Sequence, residues 1–400
     1  MPGLSKRLSR VAVAASVQMT IKARELRAAG KNVITLTTGE PNFASPPHAI
    51  EAAHQAALRG ETKYPPIDGT PDFKAAIQRK FTRDNAIDYA LDEICVGNGG
   101  KQCLFNAIMA TVDPGDEVLI PVPSWIAYAQ MTQLCEGTPV FVNCPQNNGF
   151  KPRAEDIEAA ITPKTKWLVL NSPNNPTGAV MTADDMRALA AVMRRHPHVW
   201  ILCDDMYEHL IFTGVEHATM AQVAPDLKDR TLTVSGVSKT YAMTGWRIGF
   251  AGGPRPLIRA MVNMQGQATA GISTVGMAAA VAALNGSQDG AREQSVAYQR
   301  RRDIAVEMLN ASKGITCHRP EGAFYVFPNV AGCLGHTTAG GKLLNTDEDV
   351  CLALLEEKYV ATVHGAAYHM SPYLRISTAT ADDDLVEGCR RIADFCEELR

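Results

Sequence analysis

Seven short apolar runs recur between residues 93 and 251, and helix-patterned stretches lie between most of them. The runs are residues 93–96, 117–120, 140–142, 166–170, 200–203, 231–234 and 248–251. Strands that alternate with helices favour one arrangement. Each crossover returns the chain in the same direction, giving an α/β fold with a mostly parallel sheet and helices on its faces. Ligands then bind outside the carboxyl ends of the strands, so the residues just after each run are where function is to be sought. A chain of 400 residues is too long for one small core, and two domains are expected. After residue 290 the pattern changes. Helix patterns at 277–284 and 291–309 give way to short strands at 323–327 and 373–377 and a closing helix at 382–399. The expected division is a large α/β domain over 46–290 and a smaller α+β domain from 1–45 and 291–400. In the first segment, a helix over 21–27 ends at Gly30, a strand covers 33–36, and a helix follows at 47–58.

Composition removes several function classes. The formal net charge is −3, with no long run of either sign. That gives no support for nucleic acid or a membrane surface as partner. The 10 cysteines contain no CxxC pair, which speaks against a zinc site or a redox dithiol, so no metal is expected. Unpaired cysteines in this number suit a reducing cytoplasm, and Cys389 and Cys396 read as small packing residues on one helix. Lys6, Arg7 and Arg10 precede the small apolar run 11–17. That run is at the short limit for a secretory signal and leads straight into a helix, so it reads as ordinary structure. No stretch approaches the roughly 18–20 apolar residues of a membrane span. Gly97-Asn98-Gly99-Gly100-Lys101-Gln102 is not a P-loop. Cys95 stands where glycine is required, and Gln102 where Ser or Thr is required. It still reads as glycines leading into a helix N-terminus, where free backbone N–H groups favour a phosphate.

The most informative stretch is Ser235-Gly236-Val237-Ser238-Lys239-Thr240-Tyr241-Ala242-Met243-Thr244-Gly245-Trp246-Arg247-Ile248-Gly249, which follows the run 231–234. Lys239 sits in a turn of small residues that lets a bulky ligand approach the backbone. A desolvated lysine has a lowered pKa and a nucleophilic amine. Arg247 supplies a planar fork for phosphate. An amine for a Schiff base plus an arginine for a phosphate is what pyridoxal 5'-phosphate requires. The whole string resembles the lysine signature of class I aminotransferases, especially the bacterial aspartate aminotransferase branch with its "SK…AMTGWRIG" pattern. The likeness extends from Gly39 to Arg375.

What that resemblance implies can be taken along the chain. The loop at Gly39-Glu40-Pro41-Asn42-Phe43 lies beside the substrate in the family, with the glycine backbone at the substrate carboxylate. Relatives more often carry Asp where this chain has Asn42. Tyr64, in a "TKY" segment, reaches the cofactor phosphate of a neighbouring subunit, which implies a homodimer with a shared active site. Gly100 and Lys101 open the phosphate-binding helix, and Trp125 stacks on the pyridine ring. Asn175, of the "NNPTG" string, binds the cofactor's phenolic oxygen, and Tyr207 reaches the same atom. Asp204 pairs with the ring nitrogen. An Asp at a buried strand end is costly unless paired, so its position is consistent with that role. Many relatives place a phosphate-binding serine where this chain has Gly236. Either Ser235 or Ser238 substitutes, and Ser238 is favoured. Arg375, in "YLRIST", clamps the substrate α-carboxylate in a bidentate pair.

The resemblance implies transamination, with Lys239 moving the Cα proton between an amino acid and the cofactor. Lys101 is the candidate cation for the side-chain carboxylate of aspartate or glutamate, and 2-oxoglutarate is the expected acceptor. An aromatic or prephenate aminotransferase is the alternative. Prephenate-active relatives tend to have lysine near the position of Ala12. A lyase or decarboxylase of the same fold, or a regulator carrying an aminotransferase-like module, are readings from other classes. The segment 332–345 is glycine-rich and is expected to be a mobile loop.

Overall fold

The structure is a computed structural model and describes residues 3–11, 15–212 and 214–400. Ala12, and with it the lysine position of prephenate-active relatives, lies outside the described residues. So do residues 12–14 of the signal-like run, just ahead of a helix at Ala15–Ala28.

Strand β1 is Ile34–Thr35. The seven apolar runs form strands β2 Ile94–Asn98, β3 Glu117–Val122, β4 Thr138–Asn143, β5 Thr165–Asn171, β6 Trp200–Asp204, β7 Thr231–Gly236 and β8 Ile248–Gly252. They make one sheet in the order β2-β8-β7-β6-β5-β3-β4. β8 runs antiparallel to both neighbours, β2 and β7. The β3–β4, β3–β5, β5–β6 and β6–β7 pairs are parallel. The expected mostly parallel α/β sheet is therefore present.

The central strands are apolar on both sides because helices cover both faces. Every residue of β7 and β8 is buried. One core cluster packs the helices Gly100–Thr111 and Arg255–Ala268 on the sheet, with Trp167 fully buried among them. Its indole N–H is satisfied by the Thr111 hydroxyl at 2.8 Å, as a buried donor requires. A second cluster packs the helix Ala183–Arg195, which starts in a Thr182–Asp185 capping box. A third gathers the helices Pro47–Leu58, Pro71–Asn85 and Thr274–Asn285.

A separate apolar cluster joins the two ends of the chain, running from Met19 to Leu36 and from Ala305 to Leu399. Here lie β9 Tyr325–Val326, β10 Val360–Ala361, β11 Val363–His364 and β12 Leu374–Ser377. β1 pairs with β10, and β11, β12 and β9 form an antiparallel sheet. Cys389 and Cys396 pack in this cluster, and all 10 cysteines are free and buried. The glycine-rich segment departs from expectation, because hydrogen bonds tie it down. Thr337 exchanges backbone hydrogen bonds with Arg400. The Thr338 hydroxyl donates to Glu357 at 2.6 Å, and Thr337 pairs with Leu343. Glycine counts alone could not reveal Glu357 and Arg400 as partners, because both lie outside the segment.

One close approach decides where the sheet's ligand end opens. The helix Gly100–Thr111 begins at Gly99, whose φ of +80° suits glycine. A Cβ on Gly249 of β8 would lie 2.1 Å from the Gly100 nitrogen, so strand and helix start meet backbone to backbone. Gly249→Ala is expected to destabilise the protein by about 1–3 kcal/mol, the usual cost of overpacking. Urea denaturation followed by circular dichroism would read it, and an unchanged midpoint would contradict it.

Candidate active site

The carboxyl ends of β2, β3, β5, β6 and β7 converge on a cavity of about 280 Å³. It is lined by Gly39, Gly100, Lys101, Trp125, Asn175, Asp204, Tyr207, Ser238, Lys239, Arg247 and Arg375, all expected from sequence. Tyr64 is not among them. Its side chain is 96% exposed and lines a separate surface groove.

Lys239 follows β7 and aims its ammonium at the Gly39 carbonyl, 2.5 Å away. Burial pulls its pKa down to about 8, and the nearby Arg247 and Arg375 charges act in the same direction while Glu40 opposes. The Glu40 carboxylate accepts a hydrogen bond from Thr244, so the Gly39 loop is pinned to the turn that follows Lys239.

Asp204 ends β6 and is 4% exposed. The Tyr128 hydroxyl donates to its Oδ2 at 2.7 Å, and the Met206 N–H to its Oδ1 at 3.3 Å. Among the described residues, then, its donors are a phenol and an amide rather than a cation. Burial pushes its pKa up to about 6, although both donors oppose this. Because the folded value lies above the ordinary 3.8, Asp204's contribution to stability falls as pH rises from about 4 to about 6 and is flat beyond. A positive group in the cavity would remove that cost.

Arg375, on β12, is 4% exposed. Its Nη2 donates to the Thr37 carbonyl at 2.6 Å and its Nη1 to Asn175 Oδ1 at 3.1 Å. Tyr325 and Tyr368 flank the guanidinium at 4.6 and 5.2 Å. Among the described residues its Nε–H is buried without a partner, a donor that an incoming carboxylate can satisfy. Asn175 is placed by Asn171, whose Oδ1 accepts the Asn175 N–H and whose Nδ2 donates to the Asp204 carbonyl.

At the opposite end, the helix Gly100–Thr111 begins beside the Arg247 guanidinium, whose Nη2 donates to the Asn98 carbonyl at 3.2 Å, and a helix start favours an anion. A Cβ on Gly99 would lie 2.4 Å from Arg247 Nη2, so a glycine is what lets the arginine close over the helix start. Ser238 is buried and lines the cavity, whereas the Ser235 hydroxyl donates to Glu208 at 2.6 Å. Of the two serines left open by the sequence, Ser238 faces the site and Ser235 is engaged elsewhere. The Lys101 ammonium lies 5.1 Å above the Trp125 ring, and burial together with Arg247 lowers its pKa.

A family model for aminotransferase class I and II matches residues 31–392. The chain belongs to this family. An aspartate aminotransferase of Rhizobium meliloti strain 1021 is 52% identical over 395 residues, covering 99% of this chain and 96% of that protein. An aspartate/prephenate aminotransferase of Cereibacter sphaeroides is 52% identical over 396 residues, covering 99% of each chain. Among solved structures, the Rhizobium meliloti aspartate aminotransferase superposes with a TM-score of 0.98 at 51% identity, covering 100% of both chains. The Thermus thermophilus aspartate aminotransferase with maleate gives 0.91 at 38%, covering 99% of this chain and 100% of that one. This protein is thus an aminotransferase, of a family whose members depend on pyridoxal phosphate.

Several lining residues of this aminotransferase escaped the sequence reading: Thr37, Tyr128, Asn171 and Tyr325. Tyr325 meets the Tyr207 hydroxyl at 3.0 Å. Tyr128 had a usable signal. A buried Asp needs donors, and Tyr128 lies three residues beyond Trp125, in the helix Ala127–Leu134 that follows β3. Asn42, where relatives more often carry Asp, accepts a hydrogen bond from Arg301 at 2.8 Å, and Arg301 is also paired with Asp382. Arg301 therefore has an acid partner without an acid at 42, although it shares that partner with Arg300. Tyr128→Phe is expected to raise the pKa of Asp204 above about 6 in the ligand-free protein. Carbon-13 NMR titration of labelled aspartate would measure it, and an unmoved titration would refute the hydrogen bond's role.

Proposed function

We propose that this aminotransferase binds pyridoxal 5'-phosphate at Lys239 and exchanges amino groups between aspartate or glutamate and a 2-oxo acid such as 2-oxoglutarate. The observation that carries the cofactor reading is the pairing of opposites in one cavity. A buried carboxylate without a cation lies at one end, and a helix N-terminus with an arginine lies at another. Those features fit a ring nitrogen and a phosphate. When bound, the cofactor supplies an aldehyde for an amine and a ring that takes up the electron pair released at the substrate's α carbon.

This chain's residues then have distinct tasks. Asp204 faces the ring nitrogen and keeps it protonated, and Tyr128 keeps Asp204 ionised and in place. Ser238, Arg247 and the Gly100–Lys101 backbone hold the phosphate, while Trp125 stacks on the ring. Asn175 and Tyr207 donate to the phenolic oxygen. Arg375, already oriented by Thr37 and Asn175, offers its free Nε–H and an Nη to the substrate α-carboxylate beside Gly39. The Lys239 amine, with its lowered pKa, takes and returns the Cα proton.

Lys101 supports the dicarboxylate reading. It is a cation at a helix N-terminus, where the dipole disfavours it, and it lines the same cavity as Arg375. Maleate, bound by the Thermus neighbour, is itself a dicarboxylate. Prephenate is the second reading, favoured by the name of the Cereibacter relative. The exposed Tyr64, remote from its own cavity, suits a homodimer in which it reaches the partner's phosphate. The same reading divides the chain into domains 46–290 and 1–45 with 291–400, so that Arg375 and Gly39 approach the cofactor from the smaller one. No described helix is long and apolar enough to cross a membrane, and a cytoplasmic enzyme is the proposed setting.

Lys239→Ala is expected to abolish the pH-dependent visible absorbance of the cofactor-loaded protein and its turnover. Retention of both would sink the assignment. Lys101→Ala is expected to lower kcat/KM for aspartate about 10- to 150-fold, the worth of a charge-assisted hydrogen bond of about 1.5–3 kcal/mol. Alanine and phenylalanine should be barely affected. An amino-donor panel with 2-oxoglutarate decides it, and equal losses for all donors would leave only "aminotransferase" standing. Tyr64→Phe is expected to weaken cofactor binding despite its distance from its own cavity. Unaltered binding in a protein shown to be dimeric by sedimentation would refute the shared site.

A further inference from the structure

The turn after β6 sends two neighbouring side chains to different places. Tyr207 lines the cavity, while Glu208 is buried outside it at 6% exposure. Three donors hold the Glu208 carboxylate. Ser235 Oγ donates to Oε1 at 2.6 Å, Asn85 Nδ2 donates to Oε2 at 2.7 Å, and the Lys80 ammonium pairs with Oε1. Lys80 is fixed in turn by Asn85 Oδ1 at 2.7 Å. Lys80 and Asn85 both come from the helix Pro71–Asn85, and Ser235 comes from β7. Other charged or titratable groups facing Glu208 are His209 and His217. A buried carboxylate saturated by three donors on two other elements is a rigid joint, because leaving any donor unpaired is costly.

The placement of this joint matters. The Asp205 N–H donates to the Val234 carbonyl at 2.9 Å, and Ser235, the next residue, donates to Glu208. The turn carrying Asp204 and Tyr207 is therefore tied twice to the end of the strand that leads into Ser238 and Lys239. We propose that Glu208 is a positioning residue for the amino-transfer reaction. By bridging the 204–208 turn to Ser235, it fixes the Tyr207 hydroxyl relative to Lys239. The chemistry in which this would count rests on the cofactor reading above. A hydroxyl that donates to the cofactor's phenolic oxygen draws charge away from the adjoining Lys239 nitrogen. Loosening that hydroxyl lets the nitrogen keep its proton to higher pH.

The test is a pH titration of visible absorbance in the cofactor-loaded protein, run for wild type, Ser235→Ala, Glu208→Gln, Tyr207→Phe and Ser235→Ala/Tyr207→Phe. Ser235→Ala removes one tie and leaves Lys80 and Asn85 in place, so it answers the question even if Glu208→Gln fails to fold. The expected result is a midpoint raised by about half to one unit in Ser235→Ala, the scale of one weakened hydrogen bond. A several-fold lower kcat should accompany it, with KM little changed. In the Tyr207→Phe background, Ser235→Ala should add no further shift. A lowered Tm with an unmoved midpoint would mean that Glu208 serves stability alone, and an additive shift in the Tyr207→Phe background would mean that it does not act through Tyr207. Either result overturns the proposal. A wild-type protein that takes up no cofactor and shows no visible band overturns the cofactor reading itself, and the inference with it.

Discussion

A buried carboxylate that makes no ion pair among the described residues sets the terms of this molecule. Asp204 sits at the end of a strand covered on both faces, and its two protein donors leave its pKa at about 6. Such a group is stored cost in the ligand-free protein, and a positive ligand repays it. The sheet order brings that carboxylate to the mouth where β5, β6 and β7 all end. The loops that follow deliver Asn175, Tyr207 and Lys239 around it. Asp204 thus gives the ligand pocket its polarity, and the surrounding donors give it a direction.

The fold was legible because its main signals are local. Apolar runs bounded by polar or glycine-rich turns became the seven strands, with ends extended by one or two residues. Most of the expected site residues lie just after a strand, where chain order alone brings them together. The likeness to a known family then gave each a role that spacing could not. Tyr128 was missed because its value depends on a contact across the sheet, to a residue 76 positions away. Ser235 and Ser238 could not be separated by sequence. They lie three residues apart around a turn, and only the buried Glu208 shows which hydroxyl is already occupied.

Tyr64 and the glycine-rich segment show the limits from two sides. Tyr64 taken alone reads as a half-buried core tyrosine, and by family likeness as an intersubunit residue. Its 96% exposure is foreign to a core and unremarkable at a surface that a second copy would cover. The segment after Gly332 reads as loose because glycine lowers the local preference for any conformation. It is nevertheless held by Glu357 and by the last residue of the chain, two partners that no window of local sequence contains.

Arg375 and the Thr37 carbonyl, joined at 2.6 Å, are separated by 338 residues. That corner of the cavity is therefore closed by a contact between the residue two past the first strand and a residue of the last. During synthesis the large sheet can assemble while this contact is still missing, since all its strands lie before residue 253. A partly made chain can thus present the helix Gly100–Thr111, Asp204 and Lys239 before Arg375 is added. The order of residues along the chain places the wall of the cavity built by the large sheet ahead of the wall that carries Arg375.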